Sequence, residues 1–158
     1  MESFRQDLLE DFLGYQVNFV QDNESKSSKG VLRGLHYQLP PYAQAKLVRV
    51  AKGKVLDIAV DVRKSSPSFG KYVSAVLSSE NKHQLFIPEG FAHGFLVLSE
   101  SAIFNYKVDN YYSQQHDRGI IYSDVDIGID WQLKNCDLKL SEKDKSHPFF
   151  SEVQDFFD

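Results

Sequence analysis

The sequence has 158 residues, 42% hydrophobic, 25% charged and 13% aromatic, with a formal net charge of −4. This balance is typical of one globular domain with a hydrophobic core, and it argues against a broad nucleic-acid surface. No apolar stretch is long enough to span a membrane, the N-terminus lacks the order of a signal peptide, and the single cysteine, Cys136, excludes an intramolecular disulfide. We therefore expect a cytoplasmic protein that binds neither membrane nor nucleic acid.

Apolar spacing predicts an all-β domain with short helices at its two ends. One helix is predicted over residues 3–13, ended by Gly14, and another over about 141–157. DNESKSSKG, near the first helix, is predicted to be a polar loop. Short β-prone segments follow at near-regular spacing, which indicates a sandwich or closed barrel: VLRGLHYQ, AKLVRVA, KVLDIAVDVR, KYVSAVLS, HQLFIP, HGFLVLS and IFNYKVD. KVLDIAVDVR is the most apolar and is expected to lie centrally, covered on both faces.

Two of these segments contain a histidine beside glycines. In VLRGLHYQ, Arg33 and His36 are three residues apart and face opposite sides of a regular strand, whereas a bulge at Gly34 brings both to one face. In IPEGFAHGF, His93 follows a turn and lies among small and aromatic residues. Each histidine is either a core imidazole with a satisfied hydrogen bond or a functional group, and the residues alone leave both interpretations open.

The same segments bear on metal binding. PEGFAH has the outline of the second half of a cupin motif, whose first half is H-x-H with a downstream Glu. Here His36-Tyr37-Gln38 supplies one imidazole and no nearby carboxylate. Two protein ligands are too few for a stable transition-metal site. The sequence therefore predicts a cupin-like jelly-roll barrel without a metal, in which the histidines move protons.

Three further residues are considered by themselves, and two of them, Lys46 and Tyr112, have two interpretations. Lys46, within an apolar strand, is either a sheet-edge lysine or a cation placed over a developing oxyanion. Tyr106 by itself indicates a core aromatic. Tyr112, with Tyr111, is either a surface residue or a stacking platform for a base.

Together the segments resemble the dTDP-4-dehydrorhamnose 3,5-epimerase family. Matching stretches keep their order from about residue 17 to residue 148: FVQDNES, VLRGLHYQ, KLVRV, GKVLDIAVDVRKSSPSFG, LSSENKHQLFIPEGFAHGFLVLSE, NYKVDNYYS, DIGIDW and LSEKD. The resemblance implies a metal-free jelly-roll cupin barrel over residues 1–158, a homodimer, and an isomerase that needs no cofactor. Its implied reaction inverts C3 and C5 of dTDP-4-dehydro-6-deoxyglucose on the route to dTDP-L-rhamnose.

The resemblance also implies catalytic roles. His36 matches the base that removes the proton next to the C4 ketone, and Tyr106 matches the acid that returns a proton from the other face. Asp144 matches the carboxylate that orients the base. Lys46 matches the residue that stabilises the enolate oxygen, and His93 matches a second histidine beside the sugar.

Substrate-binding positions follow in the same way. Arg33, Gln21 and Asn23 match positions that contact the sugar and diphosphate, and Tyr112 matches an aromatic residue near the thymine. Glu2 matches a family glutamate that follows a β segment and a D-x-R-G-F-F loop. That segment is absent from the sequence, so we expect an N-terminally shortened domain with weaker nucleotide binding.

Other functions remain open at this point. A 3-only epimerase or a related ketoisomerase of dTDP-sugars fits the same motifs. A degenerate, non-catalytic sugar-nucleotide-binding barrel is a second class, and a turnover assay separates it from an enzyme. A metal cupin oxidoreductase is the third class, and metal analysis tests it.

Overall fold

The computed structural model describes residues 1–133 and 137–158, and most regular structure in this part of the chain is β-strand. Cys136 lies outside the described residues. Strands in the described part are β1 (Gln21–Ser28), β2 (Leu32–Gln38), β3 (Lys46–Lys52), β4 (Lys54–Asp61), β5 (Tyr72–Ser78), β6 (Gln84–Ile87), β7 (Phe91–Val97), β8 (Ser101–Val108) and β9 (Asp117–Gly119). The helices are α1 (Gln6–Leu13), α2 (Glu142–Lys145) and a 3₁₀ turn (Phe150–Glu152).

The strands form two antiparallel sheets that pack face to face as a jelly roll, which confirms the all-β prediction. The four-stranded sheet has the order β1-β8-β3-β6, and the five-stranded sheet has the order β5-β4-β7-β2-β9. One core cluster lies between the sheets, where Val48 and Phe104 of the first meet Phe95 and Val97 of the second. All seven β-prone segments form strands, because their apolar residues can be buried in this arrangement.

The central position predicted for KVLDIAVDVR is also confirmed. It forms β4, between β5 and β7, and every residue of β4 after Lys54 is buried. A second core cluster covers the other face of the five-stranded sheet, where Leu56 and Ile58 pack with Trp131. Apolar residues therefore point to both faces of this strand and do not alternate strictly with polar ones.

Two predictions about the polar and terminal segments are wrong. DNESKSSKG is not a loop, since most of it lies in β1, whose backbone pairs with β8 along its full length. A polar sequence can form this strand because β1 is a sheet edge and its alternate side chains are exposed. Over residues 141–157 only α2 and the 3₁₀ turn are helical, because Pro148 disfavours helix before it and Phe150 and Phe156 pack on the sheet instead.

The N-terminal helix is confirmed in a shorter form, α1. Gly14 ends it in the left-handed conformation, with a φ of 77°, and its N–H donates to the Glu10 carbonyl. No residue of α1 is buried, and Phe12 is 83% exposed. Within residues 1–133 and 137–158, no helix is long and apolar enough to cross a membrane. The cytoplasmic location stays a prediction.

Candidate active site

A cavity of about 160 Å³ opens between the two sheets and collects five of the predicted site residues. The five-stranded sheet contributes Arg33, His36 and His93, and the four-stranded sheet contributes Lys46 and Tyr106. Ser25, Phe95 and Phe104 complete the lining. Side chains from two facing sheets can therefore approach a ligand from opposite sides.

The predicted bulge in β2 brings Arg33 and His36 into the same cavity. The register of β2 against β7 shifts between these two residues, so their side chains no longer alternate. Gly34, between them, has a φ of +123°, and a Cβ there would lie 2.5 Å from the Cα of Gly94. Only glycine tolerates both the conformation and the close approach of the two strands.

His36 is paired with Asp144 across the fold. Its Nε2 lies 2.5 Å from Oδ1 of Asp144, which is buried in α2. Ser141 begins this short helix as its N-cap: its hydroxyl accepts from the Asp144 backbone N–H at 3.1 Å and donates to Oδ2 at 2.8 Å. The helix cap thus fixes the carboxylate, and the carboxylate orients the imidazole ring.

The electrostatics of this pair favour a neutral imidazole and an ionised carboxylate. Burial lowers the pKa of His36 below its usual value, and this outweighs the opposing effect of Asp144; Lys46 and Lys143 lower it further. Burial alone would raise the pKa of Asp144, but the neighbouring imidazoles of His147 and His36 and the Ser141 hydroxyl hold that pKa well below its usual range. Because Asp144 accepts the Nε2–H, Nδ1 of His36 carries the lone pair that can take a proton.

Lys46 and Tyr106 face this pair from the other sheet. β3 lies between β8 and β6, so Lys46 is not a sheet-edge lysine. Burial lowers the pKa of Lys46 to about 8, with Asp57 and Asp117 acting in the opposite direction. Burial raises the pKa of Tyr106 above its usual value, so its hydroxyl stays protonated at neutral pH. The cavity therefore contains a lysine able to stabilise an oxyanion and a phenol able to donate a proton.

His93 forms a second histidine–carboxylate pair deeper in the fold. Its Nε2 lies 3.0 Å from both carboxylate oxygens of Asp57, and both residues are buried. Its ring also stacks on Phe104, with centroids 6.2 Å apart. His93 is thus a core imidazole with a hydrogen-bond partner that also lines the cavity, and its functional role stays a prediction.

A second cavity, of about 280 Å³, shares His36, Lys46 and Tyr106 with the first. It adds three further predicted residues, Gln21, Asn23 and Tyr112. Gln21 donates to Asn23 at 2.7 Å, and the Tyr112 hydroxyl donates to Asp117 at 3.1 Å. The two cavities adjoin, so nine of the ten predicted residues, with Asp144 joined through His36, form one continuous site.

Glu2 is the predicted residue that the structure places elsewhere. It lines a groove beside α1 with Phe4, Leu9 and Phe86. That groove shares no residue with the two adjoining cavities. Glu2 is therefore not part of the site that this chain forms by itself.

Several residues of the site were not singled out from the sequence. Asp57, the partner of His93, was detectable as a carboxylate inside the most apolar strand. Lys143, which lines the second cavity and pairs with Asp117, stands next to Asp144 in the LSEKD motif. No motif in the sequence around His147 indicates a role, because its contact with the site depends on how the segment after α2 folds back.

Comparison with known proteins identifies the family. The family model described as dTDP-4-dehydrorhamnose 3,5-epimerase matches residues 1–152. The dTDP-4-dehydrorhamnose 3,5-epimerase of Shigella flexneri is 62% identical over 144 residues, which cover 91% of this chain and 78% of that protein.

Solved structures agree with the sequence relatives. The dTDP-6-deoxy-D-glucose-3,5-epimerase of Legionella pneumophila Philadelphia 1, in complex with dTDP-4-keto-L-rhamnose, superposes with a TM-score of 0.92 at 49% identity, covering 96% of this chain and 80% of that one. A 3'-monoepimerase of Streptomyces bikiniensis, in complex with dTDP-quinovose, has a TM-score of 0.88 at 30% identity, covering 95% and 75%. This chain therefore belongs to the dTDP-4-dehydrorhamnose 3,5-epimerase family.

Proposed function

We propose that residues 1–158 act as a single isomerase domain that inverts C3 and C5 of dTDP-4-dehydro-6-deoxy-D-glucose to give dTDP-4-dehydro-L-rhamnose. The observation that carries this proposal is the placement of a base and an acid on facing sheets around one cavity. His36, oriented by Asp144, comes from one sheet, and Tyr106 comes from the other. Inversion at carbon requires proton removal on one face of the sugar and proton delivery on the opposite face.

Each step uses a group in the cavity. His36 removes the proton from the carbon next to the C4 ketone, and the electron pair moves onto the ketone oxygen to form an enolate. A carbon acid of this kind is too weak for imidazole to ionise unaided, so the Lys46 ammonium stabilises the oxyanion. Tyr106 then protonates the carbon from the other face, the ketone reforms, His36 releases its proton to solvent, and the tyrosine regains a proton from solvent. The substrate already carries its ketone, so no redox cofactor is needed.

The two cavities together provide the surfaces for the rest of the substrate. We assign Arg33 to the diphosphate because its guanidinium is exposed at the cavity and has one hydrogen bond, to Ser27 at 3.3 Å, among the described residues. Gln21 and Asn23 line the second cavity, and their side-chain amides can hydrogen-bond to the sugar or the diphosphate. Tyr112, in an exposed loop that lines the second cavity, is assigned to stacking on the thymine.

The test of this function is proton exchange in deuterated water. Incubation with dTDP-4-dehydro-6-deoxyglucose is expected to place deuterium at both C3 and C5, which NMR distinguishes. Deuterium at C3 alone indicates a 3-only epimerase, a class represented by the less similar Streptomyces bikiniensis protein. Nucleotide binding with no exchange at either carbon contradicts the proposal and favours a non-catalytic barrel.

The rate is expected to have a bell-shaped pH dependence. His36 must be neutral, so kcat/KM falls as the pH drops through a pKa that burial holds below the usual value of about 6.5. Lys46 must be charged, so kcat/KM also falls as the pH rises through about 8. The control is Lys46→Arg, because arginine stays protonated and the alkaline limb should disappear whatever the remaining rate. An unchanged alkaline limb in this variant contradicts the role of Lys46.

We also propose that the protein is a homodimer formed through exposed apolar strand residues. Val73 on the edge strand β5 is 58% exposed, and Val76 of the same strand is exposed as well. Sedimentation equilibrium is expected to give twice the 18.1 kDa chain mass, and Val73→Lys should shift the equilibrium towards monomer. A monomer mass that does not change with concentration contradicts this proposal.

A further inference from the structure

A third side chain, His147, joins the His36–Asp144 pair from the turn that follows α2. Within residues 1–133 and 137–158, one group of three potential metal ligands places its donor atoms within 4.8 Å of one another, and it consists of His36, Asp144 and His147. Oδ1 of Asp144 lies 2.5 Å from Nε2 of His36 and 3.6 Å from Nε2 of His147. Two imidazoles therefore converge on one carboxylate.

His147 is held in this position with its Nε2 unsatisfied. The 3.6 Å separation from Asp144 is too long for a hydrogen bond, and Nε2 is buried with no hydrogen-bond partner among the described residues. The ring lies directly over Gly119, where a Cβ would be 2.3 Å from Cε1. Buried polar atoms without partners are rare in folded proteins, and this one faces the Asp144 carboxylate. A cation between the two groups would satisfy both.

The donor set suits zinc. Two imidazole nitrogens and one carboxylate oxygen form a three-ligand set that leaves a fourth, open position for water. A groove lined by His36, Leu140, Ser141 and Asp144 borders the cluster and admits that water. Lys143 also lines this groove, but its ammonium is paired with Asp117. Zinc–ligand bonds of about 2.0–2.1 Å place the donor atoms of a tetrahedral site roughly 3.4 Å apart. The distance between any two donor atoms of the cluster must therefore change by about 1.5 Å or less when the ion binds.

We propose that the His36–Asp144–His147 cluster binds one Zn²⁺ ion and that this ion inhibits the enzyme. Zinc on Nε2 uses the lone pair of that nitrogen, and the neutral ring then carries its proton on Nδ1. The His36 side chain can then accept no further proton, so base catalysis stops. Binding depends only on the cluster, whereas inhibition rests on the proposed function. The metal is a regulator here and has no part in the chemical step.

Binding is tested on the purified full chain, without substrate. After treatment with EDTA and its removal, titration calorimetry with Zn²⁺ is expected to show one site. Co²⁺ as a probe should give the visible absorption of a four- or five-coordinate ion. His147→Gln should weaken Zn²⁺ binding by on the order of a hundred-fold, since even outer-shell partners of metal ligands typically contribute 10–100-fold. The matched control, His83→Gln, alters an exposed histidine outside the cluster and should bind as the wild type does.

Two binding results overturn the proposed metal site: no stoichiometric Zn²⁺ binding, or equal Zn²⁺ affinity in the wild type and His147→Gln.

Kinetic measurements then test the inhibition by Zn²⁺. Chelation should preserve or raise turnover, and the Zn²⁺ concentration that halves the activity should rise in His147→Gln by the same factor as the dissociation constant. Full activity with saturating Zn²⁺ bound overturns the inhibitory role. A third outcome separates the two proposals. If the metal-free protein never turns over substrate but still binds one Zn²⁺ ion on titration, the proposed function is refuted and the binding site stands.

Discussion

Replacing His36 by asparagine is expected to lower kcat by about 10²–10⁴, the usual contribution of a positioned acid–base group. Asparagine keeps a polar group beside Asp144 but offers no nitrogen of suitable basicity to take a proton. Deuterium exchange at C3 and C5 should fall by the same factor, because proton removal precedes both inversions. The measurements are steady-state turnover and NMR of the exchanged substrate.

The control for this variant is His83→Asn, which changes an exposed histidine that lines neither cavity. It should keep wild-type turnover. Asp144→Asn is expected to resemble His36→Asn in direction, because the carboxylate orients the ring and holds its tautomer. If His36→Asn exchanges deuterium at C3 and C5 nearly as fast as the wild type, another residue is the base and the proposed mechanism loses its main support.

Tyr106→Phe is expected to separate proton removal from inversion. The variant keeps His36, Asp144 and Lys46, so the enolate still forms and some exchange at C3 persists. Without the phenol, no acid delivers a proton from the opposite face, and net epimerisation should fall by about 10²–10⁴. The quantity to measure is the ratio of deuterium exchange to product formed, which should rise strongly over that of the wild type.

Tyr111→Phe provides the matched control, because Tyr111 is an exposed neighbour of Tyr112 and lines neither cavity. Its exchange and product formation should remain in the wild-type ratio. An equal loss of exchange and product in Tyr106→Phe argues that the tyrosine helps to form the enolate, and it removes the acid role.

The main features of the fold were predictable because they depend on local patterns. Seven β-prone segments, including VLRGLHYQ and KVLDIAVDVR, form strands β2 to β8, since apolar residues in such patterns require burial against another layer. β1 was missed because its polar residues form a strand only when β8 supplies the hydrogen-bond partners. The C-terminal segment was predicted as helix, but its aromatic residues are needed to cover the five-stranded sheet.

The site was predictable to the extent that its motifs are contiguous. The sequence by itself determined strands β2 to β8, the bulge residue Gly34, and the resemblance that named His36, Lys46, Tyr106 and Asp144. Only the tertiary structure decided that these residues face one another, because they come from both sheets and from α2. The charge states of Lys46 and His36 depend in the same way on burial by neighbours distant in sequence. The contact of His147 with Asp144 requires the ring to pack over Gly119, a proximity that no local pattern encodes.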